Sequence, residues 1–346
     1  MRMSLQRRIT LKDIAEAAGV HQTTVSMALR NHPELPLATR DRLKNLADKM
    51  GYKPDPALSA LRACRSSHGR TSSRYSIAWI TGMETAHKWR ESDVYVRCFK
   101  GIEERAAQLG YHIEHFWYDE KTMNKVVATR ILTARNISGV LFSGARQAKI
   151  PELDWKYFAC ASMTQSLQNI PIPLITNDHL HTVRLAFSRL CALGYKRIGL
   201  VMNQGSDDHL KNVWSVGFFG EQAMLPVDQR VPVFMPKVLD EEPFLEWLRR
   251  HTPDVVLTIP PNLLILKWIA NCGLRVPEQV GVATLDCRGE ETLSGVYQHP
   301  EITGRTAVDI IAGLIQRNDL GLQEHPTEIL IRGTWMDGET TRVQSS

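Results

Sequence analysis

No segment of this 346-residue chain approaches the roughly 20 consecutive apolar residues needed to span a bilayer. Residues 1–10, MRMSLQRRIT, lack the apolar core of about 7–15 residues that marks a secretory signal. The six cysteines (Cys64, Cys98, Cys160, Cys191, Cys272 and Cys287) include no C-x-x-C pair, which predicts reduced thiols in a cytoplasmic protein. There is no internal repeat, and no low-complexity tract beyond the polar stretch 65–74. Missing too are the phosphate loops G-x-x-x-x-G-K-[ST] and G-x-G-x-x-G, the G-x-S-x-G elbow and the H-E-x-x-H pair. Asp178-His179-x-His181 and Asp207-Asp208-His209 hold metal-ligand residue types without structural-zinc spacing, and read as loop or cap residues. No catalytic residue, metal site or cofactor is therefore expected.

What is present is uneven in charge. Residues 1–75 hold 14 Lys and Arg against 6 Asp and Glu, a net +8, while the remainder is net −3, giving +5 for the chain. Basicity concentrated in the first fifth is the electrostatic footprint of a DNA-binding module on a near-neutral body. The length suits two or three domains, and a 43% hydrophobic content suffices for a sizeable core.

The basic end reads as helix-turn-helix. Thr10 can cap a first helix, with Asp13 three residues on near the positive helix end. Ile14, Ala17 and Ala18 fall at helical spacing, Gly19 allows the sharp turn, and Val20 plugs the angle. A second helix runs from about Gln22 to Arg30 with Val25 and Leu29 inward. A third runs from about Leu37 to Met50 with Leu43, Leu46 and Met50 buried, and stops at Gly51. A proline-punctuated linker, Gly51-Tyr52-Lys53-Pro54-Asp55-Pro56, leads into a short helical stretch through Leu61.

Residues 10–62 as a unit resemble the amino-terminal region of the lactose-repressor (LacI/GalR) family of bacterial transcription regulators, and the likeness continues more weakly to the end of the chain. The resemblance implies an all-α helix-turn-helix head plus an α/β bilobed periplasmic-binding-protein type I effector domain, two parallel-sheet lobes. It divides the chain into a head at 1–53, a hinge helix and linker at 54–74, and an effector and dimerisation domain at 75–346. Lobe 1 is expected at about 75–174 and 303–325, and lobe 2 at about 177–296 and 328–346. The partners implied are pseudo-palindromic double-stranded operator DNA, a small sugar-like effector and a second copy of the chain. The chain ends 11 residues after the strand-like Ile329–Trp335, short of the extra helix by which a few relatives form tetramers, so a dimer is expected.

On the reading helix, Met27 stands where several relatives place a guanine-reading arginine, and it can touch a thymine methyl instead. Gln22 suits adenine, whereas Thr10, Thr24 and Ser26 suit phosphates. His21, Thr23, Arg30 and Asn31 join the interface with roles the sequence does not separate. Leu61 matches the hinge leucine that wedges into the minor groove, while the usual hinge arginine is Ser59 here.

From Tyr75 onward strand and helix signals alternate. Strands are predicted at Ile77–Thr81, His112–Tyr118, Gly139–Ser143, Phe158–Ala161, Arg197–Met202, Val231–Met235, Val255–Ile259 and Val280–Leu285. Two helices end in the same phrase, Ala107-Gln108-Leu109-Gly110-Tyr111 and Cys191-Ala192-Leu193-Gly194-Tyr195, the mark of a βαβ unit used twice. The crossings between lobes are placed near 174–177, 296–303 and 325–328. Ligands of parallel sheets sit beyond the carboxyl ends of strands, which nominates Gly82, Trp89, Ser143, Ser162, Trp214 and Asp286. Gln298, with Asp286, matches effector or lobe-bridging positions of the family; a turn cap is the other reading of Asp286. Trp214 replaces the arginine of the family's R-x-x-G, and Pro260-Pro261 replaces Asn-Asp. These changes suggest a flatter ligand stacked on Trp214 and Trp89, against the alternative that both tryptophans pack in a core. Two further readings stay open: a cleft enzyme acting on a small sugar, and a DNA-binding regulator with no effector.

Overall fold

The computed structural model describes residues 9–29, 35–52, 76–119, 121–143, 152–167, 170–259, 262–288 and 292–344. Three helices open it: α1 (Leu11–Ala18), α2 (Gln22–Leu29) and α3 (Leu37–Lys49). Gly19 closes α1 at φ +64°, and its N–H reaches back to the carbonyls of Ala15 and Glu16. Ile14, Ala15, Val25, Ala28, Leu43 and Ala47 make the shared core, with Val20, Leu29, Leu46 and Met50 partly buried around it. Ala17, expected inside, is exposed: the buried stripe runs through Ile14, Ala15 and Ala18, and Ala17 falls on the far side of the turn. Each large side chain here contributes about 1.5–3 kcal/mol, so so small a core leaves little margin.

The body contains two sheets. The first takes β1 (Ser76–Thr81), β2 (His112–Trp117), β3 (Ile137–Ser143), β4 (Ala159–Ser162), β5 (Leu174–Asn177) and β10 (Glu328–Ile331), in the order β10-β5-β4-β3-β1-β2, all parallel. The second takes β6 (Ile198–Val201), β7 (Val255–Thr258), β8 (Gly281–Cys287), β9 (Ser294–Tyr297) and β11 (Thr334–Met336), in the order β11-β9-β8-β7-β6, with only β11 antiparallel. Strands buried on both faces explain the unbroken apolar runs. In β1, Ile77 and Trp79 point to one core while Ala78 and Ile80 point to the other. Helices α4 (Asp93–Leu109) and α11 (Pro300–Arg317) cover the first of these faces and α5 (Lys125–Ala134) the second. In the second lobe α6 (His179–Ala192) and α8 (Val213–Gln222) cover one face, and α9 (Glu241–His251) and α10 (Asn262–Asn271) the other; the short α7 (Gln204–His209) precedes α8. Helices α4 and α11 meet backbone to backbone, because a Cβ on Gly101 would overlap the Glu301 carbonyl and one on Gly304 the Cys98 carbonyl.

The chain passes between sheets after β5 at Asp178, between β9 and α11 at 298–299, and between β10 and β11 at 332–333. The last differs from the expected 325–328: residues 328–331 pair with β5 in the first sheet, so what reads as one strand over Ile329–Trp335 is two strands in two sheets. The predicted strand at Val231–Met235 is only an isolated bridge from Phe234 to Val201. Pro232 and Pro236 cannot donate to a ladder, and the Pro232 carbonyl is taken by the Trp247 indole at 2.8 Å.

Candidate nucleic-acid interface and ligand cleft

The head begins with a capping box. The Thr10 hydroxyl accepts the Asp13 N–H at 3.3 Å, and both the Thr10 N–H and the hydroxyl donate to Asp13 Oδ2 at 2.7 Å. Thr10, expected at a phosphate, thus has its hydroxyl proton engaged within α1. His21 occupies the residue before α2 and works as its cap: Nδ1 accepts the Thr23 N–H at 3.3 Å and lies 2.9 Å from Thr23 Oγ1. An accepting Nδ1 leaves Nε2 as the nitrogen that carries the proton. With Val25 and Ala28 at zero exposure, the opposite face of α2 presents Gln22, Thr23, Ser26 and Met27. His21, Gln22 and Thr23 are exposed, and Thr24, Ser26 and Met27 half-exposed. Arg30, Asn31 and the hinge residue Leu61 lie outside the described residues, as do Ser59, Pro260 and Pro261.

In the body, the carboxyl ends of β1, β3 and β4 lie side by side: Thr81 is the register partner of Ser143, and Phe142 that of Ser162. Gly82 follows β1 directly and is half-buried. Ser143 is buried at the end of its strand. Ser162 is buried as well, but its hydroxyl donates to the Thr164 carbonyl at 2.9 Å and accepts the Thr164 N–H at 3.1 Å, so it closes a turn. On the facing lobe Asp286 is half-exposed and lies within β8, its N–H donating to Thr284 Oγ1 at 3.1 Å. Gln298 ties β9 to β8 by donating from Nε2 to the Leu285 carbonyl at 2.7 Å.

Both tryptophans are buried against neighbouring side chains. Trp89 stands edge-on to Trp79 at 4.9 Å, touches Phe99 and His115, and has the Arg90 guanidinium 4.4 Å above its ring. Trp214 is 8% exposed among Leu210, Phe218 and Val183, edge-on to His179 at 5.5 Å. Burial pushes His179 down to about 4, with Asp178 working against the shift and His209 adding to it. Burial likewise pushes His115 down to about 4, helped by Arg90 and His87, and its Nε2 lies 2.7 Å from Thr81 Oγ1. Asp207, read as a loop or cap residue from sequence, accepts the Ser215 N–H in the first turn of α8 at 3.2 Å.

One cross-lobe contact had no signal in sequence. Arg97 of α4 donates to Tyr297 Oη of β9 at 3.4 Å and to Asp93 Oδ2 at 2.7 Å. Tyr297 in turn donates to Glu301 Oε2 at 2.7 Å. Desolvation, followed by Glu301, pushes the Tyr297 phenol up to about 12. Residues 200 positions apart leave no periodicity to find.

Comparison with known proteins agrees with both halves. A family model of bacterial regulatory proteins, lacI family, matches residues 10–55, and a periplasmic binding protein-like domain matches residues 187–341. The HTH-type transcriptional regulator DegA of Bacillus subtilis (strain 168) is 23% identical over 291 residues, covering 81% of this chain and 82% of DegA. Among solved structures, the transcriptional regulator CelR in complex with cellobiose gives a TM-score of 0.57 at 18% identity, over 96% of this chain and 100% of that one. The Lac repressor dimer bound to operator and the anti-inducer ONPF gives 0.56 at 20%, over 97% and 100%. At these identities the structures speak for the fold. A helix-turn-helix head carried with a two-sheet, periplasmic-binding-protein-like body defines a DNA-binding transcription regulator. The chain carries a lacI-family DNA-binding head and a periplasmic-binding-protein-like domain, and is similar to HTH-type transcriptional regulators such as DegA. No helix among the described residues is long and apolar enough to cross a membrane.

Proposed function

We propose that the chain is a cytoplasmic, dimeric repressor that works on nucleoid DNA and whose grip on a pseudo-palindromic operator is set by a carbohydrate held between its lobes. The observation that carries the reading is the face of α2, where Gln22, Thr23, Ser26 and Met27 stand outward from a helix anchored by fully buried Val25 and Ala28. Such a face presents an amide, two hydroxyls and a thioether to base edges and phosphates, with His21, Thr24, Arg30 and Asn31 flanking it. Thr10 joins by fixing α1 rather than by donating its hydroxyl. Residues 54–74 link head to body, and Leu61 supplies the minor-groove wedge.

In the cleft, Gly82 and Ser143 from one lobe and Asp286 and Gln298 from the other surround the effector at the strand ends, and binding proceeds without turnover. Support for a sugar comes from CelR, solved with cellobiose, and support for a dimer on operator from the Lac repressor. An effector that binds one lobe orientation better than the other shifts operator affinity by that difference. The test is fluorescence anisotropy of full-length protein on a labelled operator duplex, with and without a panel of mono- and disaccharides at fixed salt. A several-fold change in apparent Kd with one sugar, recovered unconsumed, supports the proposal. Consumption of the sugar favours the enzyme, and no effect from any sugar favours a regulator without effector.

A further inference from the structure

Just past the carboxyl ends of β5 and β10, and sharing no lining residue with Gly82, Ser143, Asp286 or Gln298, an open cavity of about 520 Å³ lies beside α6 and α8. It is lined by Asp178, Leu180, His181, Arg184, Glu221 and Arg332, together with Leu185 and Ser188. Two of these residues, Asp178 and Arg332, belong to two of the three passages between lobes. At this point the passages are fastened together: the Asp178 N–H donates to the Ile331 carbonyl at 2.8 Å, and the Asn177 amide donates to the same oxygen at 3.0 Å. Asn177 is itself held by the Thr182 hydroxyl at 2.8 Å, which ties α6 to the same joint. The cavity therefore sits on a hinge, within the size range of small-molecule sites.

Its charged groups are two carboxylates, Asp178 and Glu221, and two guanidiniums, Arg184 and Arg332. Asp178 is occupied in capping α6, accepting the His181 N–H at 2.9 Å. Glu221 pairs with Arg184 Nε at 2.8 Å, which leaves the other guanidinium nitrogens of Arg184 able to donate. Arg332 is exposed and has no ion-pair or hydrogen-bond partner among the described residues. Each acid thus has a partner, and both arginines at the cavity wall retain unused donors. Leu180, 45% exposed, and Leu185 supply the apolar part of the wall, beside His181 and Ser188. A carboxylate or phosphate head accepts from guanidinium forks, and a short apolar body covers leucine side chains.

We infer that this hinge cavity is a second regulatory site, separate from the effector cleft, which takes a small anion with an apolar body. Bound there, the ligand bridges α6 to Arg332 and braces the joint between lobes, favouring one lobe orientation and so changing operator affinity.

The test uses full-length protein and a probe series of acetate, hexanoate, 3-phenylpropionate and phenyl phosphate, with phenethylamine as the cationic control. Binding is read by calorimetry in the absence of DNA, so this arm does not depend on how the operator is recognised. Affinity should rise from acetate to the apolar anions, be absent for the amine, and fall about tenfold or more in Arg332→Gln. Arg332 is exposed, and an unchanged melting temperature shows that the variant is folded; Arg184→Ala provides a second site variant. The bound anion should also shift operator affinity several-fold in the wild type and not in Arg332→Gln. No binding by any anion, equal binding of the amine, or binding indifferent to both variants overturns the site. Binding that leaves operator affinity unchanged, on an operator the protein demonstrably recognises, overturns the regulatory role. Failure to recognise any operator refutes the function proposed above while leaving the calorimetric result intact.

Discussion

Replacing Met27 by arginine should turn the operator preference at one base pair from A·T to G·C. Met27 lies on the outward face of α2, half-exposed, two residues from Val25 and next to Ala28, both at zero exposure. The substitution therefore leaves the anchoring side untouched, and a surface exchange of this kind changes stability by no more than about 0.5 kcal/mol. A methionine offers only apolar contact, which suits the thymine methyl, whereas arginine donates two parallel hydrogen bonds to guanine O6 and N7. Such a pair discriminates by about 1–3 kcal/mol, or roughly 5- to 150-fold. The assay is a competition between two duplexes differing only at the base pair facing position 27, run for both proteins at one salt concentration because counterion release would otherwise dominate. Wild type should favour the A·T duplex and Met27→Arg the G·C duplex. Unchanged preference in a variant that melts like wild type would show that residue 27 does not face a base edge.

Other consequences follow from packing and ionisation. Thr10→Ala removes the hydroxyl half of the capping box, leaving the backbone N–H to Asp13, and should destabilise the head by about 0.5–2 kcal/mol, read from its melting; an unaltered melt would mean the hydroxyl contributes nothing. Gly304→Ala drives a methyl into the Cys98 carbonyl where α4 and α11 touch, and should cost about 1–3 kcal/mol in urea unfolding, while no cost would show that the helices separate freely. His115 and His179 both take up their proton only near pH 4 when folded, against about 6.5 when unfolded. The unfolded chain then binds more protons between those values, so stability should be level above about pH 6.5 and fall as the pH drops toward 4. Thermal melts that rise over that interval would refute the burial of these rings.

Much of the head could be read from sequence because its signals are local. The Thr10–Asp13 spacing, the turn at Gly19 and the anchors Val25 and Leu43 depend on residues a few positions apart. Strands β1, β3, β6, β7 and β8 were legible for a related reason, since burial on both faces writes an apolar run. Short strands at a sheet margin or lobe crossing were not. β5, β9 and the split between β10 and β11 depend on which sheet a segment joins, and four residues carry no record of that. Val231–Met235 has the apolar run but also the prolines that deny it a ladder. For the cleft, strand-end logic nominates Ser143 and Asp286, but it does not tell a tryptophan lining a surface from one filling a core. Trp89 and Trp214 were decided by Trp79, Phe99, Phe218 and His179, partners brought together only by the fold. The Arg97–Tyr297 contact across the lobes belongs to the same class.

The central claim is sequence-specific recognition of DNA by a symmetric pair of heads. It is tested most directly by selecting from random duplex DNA with purified full-length protein and sequencing what is retained. The account predicts an enriched palindrome with a fixed centre, and A·T at the position facing Met27. Retention that weakens steeply with salt but enriches no motif would contradict it, since phosphate contacts alone would then account for binding.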